Sequence, residues 1–341
     1  MTPLPRIALG LLIGAAGGFV FALLHLPLPW MLGALFATMI AAVLQVPVLP
    51  PARIRPVVVA VIGVLLGARF TPDIVAQAGA WSLTVAILMA YVVAVALVVV
   101  PFYRFAGRFD WVTAYFAGMP GGLTEMIEIG EAKGARVAPV ILAHSLRIVV
   151  TIALIAFWFR FVMGHQVGTG AVVPQAPLTL IDVAVMLGCA GFGSVLGRVL
   201  HFPAPTFLGP LAISAALHMG GLTQSVPPAW IVNTAQVILG SVLGCRFLGI
   251  LPRELVQAGV LAIGATVLTL SLAFLGALAM QSVAGVGVEQ AILALAPGGL
   301  TEMGLIALAI HADVAFVALH HVVRILFVIV IAPLLFRMVE R

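Results

Sequence analysis

Seven consecutive residues, Pro120-Gly-Gly-Leu-Thr-Glu-Met126, return unchanged as Pro297-Gly-Gly-Leu-Thr-Glu-Met303, 177 positions later. Three more blocks keep nearly the same spacing. His144-x-x-Arg147-Ile148 answers His321-x-x-Arg324-Ile325, and Leu66-Gly67-Ala-Arg69-Phe70 answers Leu243-Gly244-Cys-Arg246-Phe247. Leu26-Pro27-Leu-Pro29 answers Phe202-Pro203-Ala-Pro205. Four blocks in one order make two copies of one unit. The copies span 1–165 and 176–341, joined by a polar linker over 164–177.

The content of each copy points to a bilayer. The chain is 63% apolar and 8% charged, with a mean hydropathy of +1.26. Soluble domains carry about 25% charged residues, and a chain this apolar has too few polar groups to cover its exterior. Each copy holds six apolar stretches: 7–24, 30–50, 55–72, 79–103, 112–130 and 137–161, then 178–200, 205–222, 229–250, 257–283, 288–309 and 313–336. A spanning helix needs about 20 residues. The first stretch looks like a signal peptide, but it recurs in mid-chain, so it reads as a helix of the mature protein. The fifth stretch of each copy is the exception, because Pro-Gly-Gly interrupts it. If that stretch enters and leaves on one side, each copy has five crossings and the copies are inverted. Twelve basic loop residues then share a face with both termini, and only Arg69 and Arg160 stand opposite. Cytoplasmic loops collect Lys and Arg. The expected fold is an all-α polytopic membrane protein: two inverted repeats of about five transmembrane helices, each with one broken or re-entrant helix. The expected location is a bacterial inner membrane, multi-pass, with both termini cytoplasmic.

The net charge of +5 is spread singly between apolar runs. It forms no basic stripe, which excludes a nucleic-acid partner. Cys189 and Cys245 lie apart in apolar segments and read as inert thiols. No clustered metal ligands, phosphate loop or nucleophile elbow occurs, so no metal, cofactor or enzymatic activity is expected.

The chemistry concentrates at the repeated break. Proline lacks an N–H and clashes with the preceding turn. The backbone groups freed at a break are tolerated only inside protein or along a water-filled cavity. Paired breaks in inverted halves point to a transporter's midplane site. The expected solute- or ion-binding residues are Gly121, Gly122, Thr124, Glu125, His144 and Arg147, with Gly298, Gly299, Thr301, Glu302, His321 and Arg324. Thr124 and Thr301 stand where a helix N-cap is useful. Glu125 and Glu302 are carboxylates at membrane depth, a functional signal by default, and Arg147 and Arg324 are their expected partners. His144 and His321 share a helix face with those arginines. The competing reading is that Glu and Arg only neutralise one another and staple the bundle.

The doubled motif with its following His-x-x-Arg resembles the membrane AbrB family over essentially the whole chain. Members carry labels of AbrB-type regulator or ammonia monooxygenase. The resemblance implies an AbrB duplication similar to inverted-repeat cation–proton antiporter and anion transporter folds. It implies that the broken helices cross at Gly121, Gly122, Gly298 and Gly299. The leading expectation is a secondary transporter of a small polar or anionic solute, with the proton as candidate coupling ion and a homodimer as candidate assembly. A membrane-embedded regulator or sensor acting indirectly on gene expression is the second reading, and a membrane oxidoreductase the third. Transport lost in Glu125→Gln or Arg324→Ala, with the chain still inserted, is the mark of the first.

Overall fold

A computed structural model describes residues 3–72, 81–165 and 179–339. Among them the chain is all-helical. The first copy contributes α1 (Pro3–Leu23), α2 (Pro29–Val43), α3 (Arg55–Gly67), α4 (Trp81–Phe105), α5 (Trp111–Gly118), α6 (Leu123–Ala132) and α7 (Val137–Phe157). The last helix widens into a π turn over Trp158–Val162. The second copy contributes α8 (Leu180–Val199), α9 (Pro205–Met219), α10 (Ala229–Gly244), α11 (Pro252–Ala284), α12 (Val288–Leu295), α13 (Leu300–Ala309) and α14 (Val314–Val339). Both boundaries of α5 and of α6 recur in α12 and α13 exactly one repeat length, 177 residues, later.

Among the described residues seven helices are long and apolar enough to cross a membrane, so the chain is a multi-pass membrane protein. Three expected spans are shorter than their apolar stretches. The stretches 30–50, 55–72 and 205–222 yield helices of 15, 13 and 15 residues. At 1.5 Å per residue, 15 residues rise about 22 Å, less than the ~30 Å hydrocarbon core. The shortening lies at the C-terminal ends, at Val43, Gly67 and Met219, while prolines mark the starts. Pro29, Pro56 and Pro205 lie in the first turns, where no N–H is needed. α2 stops at Val43, and Gln45 just beyond its cap takes a left-handed backbone angle. The residues before Pro29 and Pro205, Leu28 and Ala204, both take left-handed backbone angles. The loop conformation is duplicated along with its sequence.

The chain divides into two compact units that cut across the sequence halves. Unit 1 holds 1–76, 155–252 and 304–315, and unit 2 holds 77–154, 253–303 and 316–341. Each unit draws matching elements from both copies.

In unit 1 the helices meet through glycines. A Cβ on Gly17 would fall on the carbonyl oxygen of Gly33, and one on Gly209 on that of Gly193, which are the same α1/α2 and α8/α9 crossings. Gly63 and Gly67 of α3 abut Phe207 and Leu211 of α9, while Gly240 and Gly244 of α10 abut Met31 and Leu35 of α2. The third helix of each copy therefore crosses the second helix of the other. Membrane helices use small residues for such approaches because lipid offers no hydrophobic gain on association.

Unit 2 holds both breaks. Gly118 lets the end of α5 lie on Val100 of α4, and Gly264 of α11 accepts the Phe102 ring. Tyr115 donates to Ala332 O at 2.7 Å and meets the Phe336 ring edge to face, tying α5 to α14.

Candidate functional site

Each break is a gap of four residues between two short helices. α5 ends at Gly118, and Met119 turns extended at φ −63°, ψ 133°. α12 ends at Leu295, and Ala296 does the same at φ −54°, ψ 139°. The last helical bonds run from Met119 N to Tyr115 O and from Ala296 N to Ile292 O. The next carbonyl along, Phe116 O, would ordinarily accept from residue 120, and Leu293 O from residue 297. Both positions are proline, which has no N–H.

The motif histidines replace those lost donors. His144 Nε2 lies 2.8 Å from Phe116 O, and His321 Nε2 lies 2.9 Å from Leu293 O. A carbonyl only accepts, so the proton sits on Nε2 in each ring. The arginines hold the rest of each gap. Arg147 donates from Nη1 to Met119 O at 3.0 Å and from Nη2 to Gly121 O at 3.1 Å. Arg324 donates from Nη1 to Ala296 O and from Nη2 to Gly298 O at 3.2 Å. All of these acceptors are repeat-equivalent. Pro-Gly-Gly and His-x-x-Arg are thus one device: proline empties a carbonyl, histidine fills it, and the arginine fork secures the extended strand beyond.

The arginines do not pair with Glu125 or Glu302. Among the described residues neither guanidinium meets a carboxylate. The expectation of a Glu–Arg pair gives way to a cation set on the carbonyl-rich ends of α5 and α12. The helix dipole supplies negative potential there, and the fork geometry suits two carbonyls at once. Arg147 and Arg324 are 7% and 5% exposed, so this partnership offsets a substantial desolvation cost.

The carboxylates occupy the opposite ends of the gaps. Gly122 is the N-cap of α6, and the chain enters α6 at Leu123. Glu125 therefore sits in the first turn, where a negative charge complements the dipole. A Cβ on Gly122 would strike the Glu125 carboxylate, and one on Gly299 the Glu302 carboxylate. Each Glu folds back over its glycine. The first glycines serve the methionines instead: Gly121 lies under Met126 and Gly298 under Met303. Thr124 and Thr301 are second residues of their helices rather than caps. Thr124 is exposed, and Thr301 donates to Glu302 Oε2 at 2.8 Å. Glu302 is buried, whereas Glu125 is half-exposed.

The two breaks come together in unit 2. Arg147 and Arg324 lie within electrostatic range of one another, and Tyr91 lies within range of both. Tyr103 is within range of Arg147. The hydroxyls of Tyr91 and Tyr103 and the Nε groups of both arginines have no hydrogen-bond partner among the described residues. The tyrosines were not anticipated from the sequence. A signal existed: the chain has three tyrosines, all within 91–115, and all three are buried, whereas membrane proteins ordinarily place tyrosine at the lipid–water boundary.

The proline–histidine exchange makes a prediction. His321→Ala leaves Leu293 O buried and unpaired, at a cost of about 1–3 kcal/mol. In a Pro297→Ala background the chain regains an N–H at 297, and the same histidine change should cost clearly less. A double-mutant cycle of thermal unfolding in detergent measures the difference. Equal costs in both backgrounds would contradict the exchange.

Comparison with known proteins covers nearly the whole chain. The family model described as "Transition state regulatory protein AbrB" matches residues 30–340. "Uncharacterized protein YhjN" of Bacillus subtilis (strain 168) is 25% identical over 352 residues, spanning 96% of this chain and 91% of that protein. "Putative regulator AbrB" of Escherichia coli (strain K12) is 23% identical over 334 residues, spanning 94% and 92%.

Proposed function

The chain belongs to the AbrB family, and we propose that it is a secondary transporter of a small polar or anionic solute, coupled to protons. The observation that carries this reading is the paired break: two helices from opposite copies, interrupted at the same motif, in one unit, with their guanidinium groups in electrostatic range of one another. Irregular backbone at membrane depth costs several kcal/mol per unsatisfied group. Here it is built twice, with its own histidine and arginine to support it. A break retained at that cost, with carboxylates at one end and cations at the other, suits a site that binds and releases a charged group.

In this reading the copies are inverted, following the distribution of basic loop residues, and both termini are cytoplasmic in a bacterial inner membrane. The buried arginines lack a carboxylate partner among the described residues, which favours an anionic group on the solute. Glu125 and Glu302 are the groups available to exchange a proton. The motif histidines are engaged with carbonyls and position the break. Alternating access follows from movement about the breaks.

The name of the Escherichia coli relative supports a second reading, a membrane-embedded regulator that binds a ligand without moving it. One experiment separates the two. Purified protein is screened for thermal stabilisation by small metabolites, since a ligand stabilises the state it binds. The hit is then tested for counterflow in proteoliposomes. Counterflow is the expected result; tight binding with no counterflow overturns transport in favour of sensing.

A further inference from the structure

We propose that His320 is a proton-binding site, distinct from the repeated motif, holding one proton between α14 and α4. The residue breaks the repeat: its counterpart in the first copy is Ala143. It is fully buried.

Two short contacts of the ring and one of its threonine partner form a chain. His320 Nδ1 lies 2.8 Å from Phe316 O. His320 Nε2 lies 2.9 Å from Thr84 Oγ1. Thr84 Oγ1 in turn donates to Trp81 O at 2.8 Å. Each contact needs one proton, and neither carbonyl can supply it. A neutral imidazole and a threonine hydroxyl own two protons between them. Whichever way they are placed, one contact is left with two lone pairs facing at hydrogen-bond distance. An imidazolium and the same hydroxyl own three, and all three contacts close: Nδ1–H to Phe316 O, Nε2–H to Thr84 Oγ1, and Thr84 O–H to Trp81 O. The Phe316 ring, 4.0 Å away between centroids, adds an aromatic face to the cation.

The same count excludes its neighbour. His321 Nε2 must donate to Leu293 O, and its Nδ1 lies 3.0 Å from Arg324 Nη2, which can only donate. His321 is therefore held neutral, with both nitrogens occupied. On α14, His321 lies within electrostatic range of His320, and Arg324 stands four residues on. On α4 the facing side chains, Trp81 and Thr84, carry no charge. An ionisable group at this depth is a functional signal by default. The role as a coupling site rests on the transport reading, whereas proton binding itself can be tested without any solute.

The test is nitrogen-15 NMR of full-length protein labelled at histidine, in lipid vesicles at pH 7.5. A solvated histidine, with a pKa of about 6.5, is roughly nine-tenths neutral at that pH. The His320 signal is identified by its absence in His320→Gln. The expected result is a doubly protonated ring in the wild type and in Thr84→Ser, which keeps the hydroxyl. Thr84→Val should lose the doubly protonated form. A singly protonated ring in the wild type at pH 7.5 overturns the proposal, as does a doubly protonated ring that survives Thr84→Val. Should Thr84→Val fail to fold, the wild type and Thr84→Ser decide alone. A protonated His320 in a protein without counterflow leaves the proton site standing and removes transport. Counterflow with a neutral His320 does the reverse.

Discussion

Arg324→Ala is expected to destabilise unit 2 by about 1–3 kcal/mol for each buried acceptor it leaves unpaired. The side chain is 5% exposed and donates to the carbonyls of Ala296 and Gly298 and to His321 Nδ1. Its removal strands acceptors in a region where water cannot replace it. Arg324→Lys keeps the charge but supplies a point donor in place of a planar fork, and should recover only part of the loss. Thermal unfolding in detergent, read alongside size-exclusion behaviour, measures both. A midpoint within a degree or two of wild type for Arg324→Ala would show that the carbonyl contacts contribute little. This outcome bears on function tests as well. From the sequence, Arg324→Ala looks like a clean transport knock-out in an intact fold. The structure makes it a folding lesion first, because the guanidinium is part of the break rather than only a facing charge.

That revision shows where the sequence was legible. The duplication, the helical class and the positions of the two breaks were all readable, because Pro-Gly-Gly in an apolar run has few structural outcomes. The partner of each arginine was not. Sequence gives residue types but not which end of a half-helix a side chain reaches, and Glu and Arg attract one another on any list of charges. The decisive clue was the spacing between proline and the carbonyl it strands: Phe116 precedes Pro120 by four residues, as Leu293 precedes Pro297. Read that way, the histidine had a backbone task before any chemical one. The two glycines were also legible only in part. Their permissiveness was clear, but Gly122 and Gly299 are there to admit a folded-back carboxylate, and Gly121 and Gly298 to admit a methionine. The shortness of α2, α3 and α9 was missed because apolar composition runs on past Val43, Gly67 and Met219, where the helices end. The division into units could not be seen from sequence similarity either, since the similarity runs along the halves while the packing runs across them.

The second large effect concerns the carboxylates. Glu302→Gln keeps the shape and the bond from Thr301, so the fold should lose less than about 1 kcal/mol. Transport should nevertheless fall to background, because an amide cannot take up or release a proton at neutral pH. Glu125→Gln should act in the same direction. Gly299→Ala provides an independent route to the same residue. Its Cβ meets the far end of the Glu302 side chain, which can swing aside at little cost, so the protein should fold while the carboxylate is displaced. Loss of transport in Gly299→Ala, with stability kept, would place the function in the position of Glu302 and not merely in its charge.

The most direct measurement of the central claim is therefore uptake into proteoliposomes of the solute found by the stability screen, compared for wild type, Glu302→Gln and Gly299→Ala at matched insertion and matched melting temperature. The account predicts uptake by the wild type and none above empty vesicles for either variant. Wild-type rates in both variants would show that the repeated break is a packing device and that the solute passes elsewhere.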